Sequence, residues 1–145
     1  MNKKYIGLDL GTTTLGISYS DSLGFVHGKE TFRFPKNQYV LARKRVYQLC
    51  DDLEIYDLVI GLPLHLNGNE SEMSKNCRIF AQNLMEENSK IKIEFCDERM
   101  STVSAHNQIN ELGFNHDKRK QNVDKIAACI ILDTFLRMKE NKNGK

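Results

Sequence analysis

Three strand-like stretches joined by tight turns open this chain, and two more strands follow, each after a helix. That alternation leaves few folds open. Tyr5-Ile6-Gly7-Leu8-Asp9-Leu10 is almost continuously apolar, as in a central strand buried on both faces. After the turn Gly11-Thr12-Thr13-Thr14, residues Leu15, Ile17 and Tyr19 alternate with small or polar ones and predict a second strand. A second tight turn, Asp21-Ser22-Leu23-Gly24, places a third strand within Phe25–Phe34. Turns this short imply antiparallel neighbours.

Helical spacing takes over next. Pro35 and Asn37 are expected to open a helix with Ala42, Val46, Leu49, Cys50 and Leu53 on one face. Leu58-Val59-Ile60-Gly61-Leu62 reads as a fourth buried strand. A polar loop, His65–Glu70, precedes a helix with Met73, Cys77, Phe80, Ala81 and Leu84 inward. Ile91, Ile93 and Phe95 alternate in a fifth strand. Ser101 can cap a short helix with Ala105, Ile109 and Leu112 inward, and Gly113 suits its end. The final helix is expected to bury Val123, Ile126, Ala127, Ile130, Ile131, Thr134, Phe135 and Met138, and to fray from about residue 140. The expected fold is α/β: a mixed five-stranded sheet, three antiparallel strands then parallel crossovers, with helices on both faces. One domain over 1–139 with a frayed tail over 140–145 is the expected organisation.

Composition narrows the function classes. With 145 residues, 40% hydrophobic and 28% charged, the chain can build a core without disulfides or a structural metal. No apolar run approaches the roughly 18–20 residues of a membrane span. Met1-Asn2-Lys3-Lys4 leads into a stretch broken by Asp9, so no signal peptide is expected. Cys50, Cys77, Cys96 and Cys129 match no zinc spacing, and reduced thiols in a cytoplasmic protein are expected. The net charge of +2 is unevenly spread: residues 117–145 carry +4 and residues 1–116 carry −2. A second basic stretch runs from Lys29 to Arg45. Such patches favour polyanions, though many charge runs are only solvated faces.

Asp9 is the most informative residue for chemistry. An unpaired carboxylate in a buried strand is costly. It is either a structural acid paired with a Lys or turn amides, or a metal ligand or general base at the strand's C-terminal end, where open α/β sheets bind ligands. The turn after it offers backbone amides and the hydroxyls of Thr12, Thr13 and Thr14 to a phosphate. Cys96-Asp97-Glu98-Arg99 should emerge at the same edge, with one acid facing the cleft and the other facing solvent or pairing with Arg99. Asp124, on the last helix beside Ala127 and Ala128, either complements the helix dipole or joins the site. Small residues there let the helix approach the sheet closely. Taken together, an all-carboxylate set selects hard cations, Mg²⁺ or Mn²⁺. Two such ions about 3.5–4 Å apart serve phosphodiester hydrolysis.

Four stretches in this order resemble the YqgF/RuvX family of RNase H-like nucleases, from about Tyr5 to Leu136. They are Gly7-Leu8-Asp9-Leu10-Gly11-Thr12 with Leu15-Gly16-Ile17 and Ser20-Asp21; Val59-Ile60-Gly61-Leu62-Pro63-Leu64 with Asn67-Gly68 and Glu70; Asp97-Glu98-Arg99-Met100-Ser101-Thr102; and Val123-Asp124-Lys125-Ile126-Ala127-Ala128. The resemblance implies an RNase H-like fold and a metal-dependent endonuclease with Asp9, Glu98 and Asp124 as catalytic metal-binding acids. It further implies 5′-end maturation of pre-16S ribosomal RNA in the bacterial cytoplasm, with Holliday-junction resolution as the older assignment. Structured RNA is then the expected partner and a DNA junction the alternative. Many relatives carry a Lys or Arg where this chain has Thr13 and Thr14.

Arg99 is expected to contact the scissile phosphate or pair with Asp97. Lys118, Arg119, Lys120 and Lys125 near the last helix's start are expected to bind the backbone, with salt-dependent affinity. His65 and Asn67 mark a loop that serves as a lid or is a plain surface turn. His27, His106 and His116 show no ligand spacing. If the strand order is 3-2-1-4-5, Glu98 starts two strands from Asp9, near 10 Å at roughly 4.8 Å per strand. Glu98 must then lean inward, or the site closes only with metal and substrate bound.

Two rival classes share parts of this pattern. The Gly7–Thr13 stretch looks like the first phosphate loop of actin-like ATPases, but 145 residues are expected to supply only one of their two lobes. An inactive RNA-binding or assembly module would keep the fold and the basic helix without cutting. The chain is expected to be a monomer or weak homodimer.

Overall fold

β1 (Ile6–Leu10) lies at the centre of a mixed sheet of order β3-β2-β1-β4-β5. In the computed structural model the backbone is described for residues 2–100 and 116–142, and the side chains for 2–100 and 123–141. The tight turns deliver β2 (Thr14–Ser20) and β3 (Val26–Arg33) as antiparallel neighbours. Helices α1 (Tyr39–Leu53) and α2 (Glu72–Glu87) return the chain so that β4 (Asp57–Leu62) and β5 (Lys92–Asp97) run parallel to β1. A 3-10 turn, Glu98–Met100, follows β5, and α3 (His116–Lys142) ends the described chain. The expected short helix capped by Ser101 lies outside the described residues. Among the described residues no helix is long and apolar enough to cross a membrane.

Strand alternation sorts the side chains into two layers. Ile6, Leu8, Leu10, Leu15, Ile17, Leu58, Ile60 and Leu62 face α1 and α2, where Val46, Leu49, Cys77, Phe80 and Leu84 meet them. The other face carries Tyr5, Val59 and Cys96 against Ile131 and Leu132 of α3. Each fully buried Leu or Ile contributes about 1.5–3 kcal/mol relative to exposure. Helices therefore cover both faces as expected.

Three local expectations are corrected. Asn37 has φ 64°, a left-handed value no helix interior accepts, so α1 begins at Tyr39 and not at Pro35–Asn37. The last helix runs on to Lys142, past the expected fraying point near 140. Its buried stripe keeps Ile130, Ile131 and Thr134 but is turned in part: Val123 is 57% and Met138 44% exposed, whereas Ala128 and Leu132 are fully buried.

The sheet beneath α3 sets that rotation. On four adjacent strands a glycine faces the helix: Gly28, Gly16, Gly7 and Gly61. A Cβ on Gly28 would meet the Lys125 stem at 3.0 Å, one on Gly7 would come 2.9 Å from Leu132 Cβ, and those on Gly16 and Gly61 would clash with Asp124 and Ile131. Glycine in a strand interior marks this kind of close approach. Ser18, buried between Gly7 and Gly28, donates its hydroxyl to the Ala128 carbonyl at 2.8 Å and ties helix to sheet.

Candidate active site

Asp9 sits at the end of β1 on the face covered by α3, because Ile6, Leu8 and Leu10 take the other face. It lies where the sheet changes direction, with antiparallel β2 on one side and parallel β4 on the other. Ligands of open α/β sheets bind at such switch points. Its neighbours are both glycines. Asp9 pairs with Gly16 on β2, and one step beyond the Leu8–Ile60 pair brings it level with Gly61 on β4.

Each glycine leaves room for another acid. Asp124 lies over Gly16, its own Cβ 3.2 Å from where a Gly16 Cβ would stand. Glu98 leans over Gly61, its carboxyl carbon 3.3 Å from the corresponding point. So Glu98 crosses β4 toward β1, which answers the two-strand separation expected from the strand order. Parity explains the choice between the two adjacent acids. Cys96 faces α3, so Glu98 does too, while Asp97 points away.

Asp97 instead builds the turn that carries Glu98. Its carboxylate accepts the Arg99 backbone N–H at 2.9 Å and the Arg99 guanidinium at 2.6 and 3.0 Å. The hydrogen bond from Arg99 holds Asp97 below the usual carboxylate range. Arg99 also donates to the Leu66 carbonyl at 3.3 Å, joining the 3-10 turn to the loop after β4. Of the two roles expected for Arg99, the pairing with Asp97 is thus the one seen.

The electrostatics separate Asp9 from an ordinary structural acid. Burial first, then the charges of Glu98 and Asp124, push its carboxyl up to about 7. No lysine or arginine pairs with it among the described residues. Glu98 is also raised, by burial and then by Asp97. The field reaches α2, where burial, then Glu98 and Asp9, hold the Cys77 thiol at about 12. Cys77 therefore stays a neutral thiol near pH 7 and offers no thiolate.

The donor set is all oxygen and, among the described residues, lacks a counter-charge, which fits a hard divalent cation. The set is open as it stands: among the described residues no three His, Cys, Asp or Glu side chains are close enough to hold one ion.

The remaining expected residues fall around this end. Thr12 and Thr13 are exposed on the turn after β1, and their carbonyls accept from Asn37 and Phe34 at 2.9 Å. Lys125 lays its stem over Gly28 on β3. Lys118, Arg119 and Lys120 belong to the first turns of α3, where only the backbone is described. His65 and Asn67 lie in a loop closed by Gly68 N–H to the His65 carbonyl at 2.8 Å and by Asn69 N–H to Asn67 Oδ1 at 2.9 Å. The loop is braced from below, where Ser71 caps α2 and bonds the Pro63 carbonyl. Gly16, Gly61 and Ser18 are the site-building residues that pattern reading misses. Glycines inside strands are the signal that could have found the first two.

Five strands in this order, with helices on both faces, define an RNase H-like α/β fold. The solved structure of Thermus thermophilus RuvC in complex with a Holliday junction substrate shares the fold, at TM-score 0.63 and 13% identity over 95% of this chain and 97% of that one. A family model, RuvX, described as Holliday junction resolvase, matches residues 3–138. A curated protein of Clostridium botulinum (strain Eklund 17B / Type B), named "Putative pre-16S rRNA nuclease", is 38% identical over 134 residues, 92% of this chain and 96% of its own length. One of the same name from Geobacillus sp. (strain WCH70) is 34% identical over 138 residues, 94% and 99% of the two chains. The chain belongs to the RuvX family and is, by that membership, a nuclease that hydrolyses phosphodiester bonds.

Proposed function

We propose that this chain cuts structured RNA in the 5′-end maturation of pre-16S rRNA in the bacterial cytoplasm, with Mg²⁺ or Mn²⁺ held by Asp9, Glu98 and Asp124. One observation carries the reading: Asp9 lies between two glycines without an ion-pair partner among the described residues, and an acid from another element occupies the space over each. The names of the Clostridium and Geobacillus relatives support the choice of RNA.

When bound, a pair of such ions supplies an activated water and neutralises charge at the leaving oxygen. The chain's own residues supply the rest. Asp9, with its carboxyl at about 7, would be deprotonated when holding such a cation. Glu98 and Asp124 would complete the ligand set from either side. Thr12 and Thr13 offer hydroxyls to a phosphate beside the cut, and Arg99, anchored on Asp97, faces the same edge. Lys118, Arg119, Lys120 and Lys125 hold the flanking backbone as a salt-dependent contact. A single active site suffices for this reaction, so the protein acts as a monomer or weak homodimer.

The family description supports junction DNA as the second reading. Purified protein given an RNA spanning the 5′ end of 16S rRNA, and separately a four-way DNA junction, decides between them. Mn²⁺- or Mg²⁺-dependent cutting of the RNA, abolished by EDTA, is expected. Cutting of the junction alone would assign the second reading. Equal binding with and without EDTA, and no product from either, would make the protein a binding module.

A further inference from the structure

Gly61 needs no special backbone conformation, since among the described residues the positive-φ glycines are Gly24 and Gly68. An alanine would satisfy the strand at this position. What forbids it is the space above. A Cβ there would meet the Ile131 side chain of α3, and at 3.3 Å it would press on the Glu98 carboxyl carbon. Gly61 pairs with Cys96 on β5 and stands level with Asp9 on β1, so it occupies the strand that Glu98 must cross.

We propose that Gly61 is a positioning residue: its missing side chain lets Glu98 reach over β4 toward Asp9 and share a cation with it. This rests on the metal-dependent reading above. The two contacts over Gly61 can be separated. Ile131→Val removes the Cδ1 methyl that an alanine would displace most, so Gly61→Ala with Ile131→Val conserves core volume; Cγ1 stays at 3.1 Å, an apolar contact shared by packing, and Glu98 at 3.3 Å is the one polar group pressed aside.

The test is Mn²⁺ binding by calorimetry, with thermal melting in EDTA, on wild type, Ile131→Val, Gly61→Ala/Ile131→Val and Glu98→Asp. The double variant should melt close to Ile131→Val in EDTA yet bind Mn²⁺ about 10–100-fold more weakly, the loss typical when a ligand's support is removed. Ile131→Val should bind like wild type. Glu98→Asp keeps the charge but is one methylene too short to cross Gly61, and should lose affinity to a similar degree. It decides the matter should the double variant not fold. Affinity of the folded double variant equal to that of Ile131→Val, or full affinity in Glu98→Asp, would overturn the inference and leave the metal reading intact. Absence of Mn²⁺ binding by wild type would overturn the metal reading itself.

Discussion

Asp9 is a carboxylate that resists charging in the absence of a cation, and its cost should be measurable. Its unfolded value is near 4 and its folded value about 7. The folded chain therefore holds a proton between these values that the unfolded chain has lost, and stability falls as pH rises from about 4 to about 7, then levels. Asp9→Asn removes the titration. In EDTA at pH 8 this variant should be more stable than wild type, by an amount on the order of a few kcal/mol. At pH 4 the two should coincide. Mn²⁺ at pH 8 should stabilise wild type and leave Asp9→Asn unmoved. Thermal melts across this range check the sign, and a wild type that gains stability from pH 4 to 7 relative to Asp9→Asn would contradict it. Asp97 acts one step removed. Replacing it with alanine takes away the acceptor of the Arg99 N–H and the Arg99 ion pair. The 3-10 turn loosens, and cutting should fall while global stability drops by only about 1 kcal/mol. Asp9 was legible in the sequence because a lone carboxylate inside an apolar run has few explanations. The choice of Glu98 over Asp97 came only through the family resemblance; the residues by themselves left it open, because it depends on how the chain leaves β5 once that strand docks beside β4.

Among the elements, α3 does most to assemble the site, and the glycines beneath it decide its rotation. Several neighbouring faces of this helix are apolar, so its sequence alone accepts stripes beginning at Val123 or at Asp124. The sheet selects the second, because only glycines admit a helix so near. That selection is non-local, which is why spacing along the chain misplaced Val123 and Met138. Ser18→Ala removes the side-chain bond to the Ala128 carbonyl one turn beyond Asp124. It should cost about 1 kcal/mol and lower the melting temperature by about 2–4 °C. Unchanged stability would show that the glycine contacts hold the helix without that bond. The three antiparallel strands and two crossovers were legible for the opposite reason: turn length and apolar runs are local and leave little choice of neighbour.

For the whole molecule, a net charge of +2 hides a division of labour. Acids gather at the end of β1, while basic residues crowd α3, where Lys125 lies over β3. A phosphate chain laid across this edge would meet cations on one side and a metal-loaded acidic centre in the middle. Lys125→Gln should weaken binding of single-stranded RNA independently of sequence and reduce the salt slope by about 0.7, one phosphate contact. Filter binding at several salt concentrations checks this, and an unchanged slope would remove Lys125 from the path. In the proposed function, three acids from β1, the turn after β5 and α3 act as one metal-dependent cutting centre. This is tested most directly by cleavage of a 16S precursor RNA in Mn²⁺ by wild type, Asp9→Asn, Glu98→Gln and Asp124→Asn, with RNA binding measured in parallel. Each variant should bind RNA at least as well as wild type and cut it about a hundredfold more slowly or worse, since a lost ligand costs at least what a lost support does. Cutting by any one of them at the wild-type rate would show that its acid is no part of the centre.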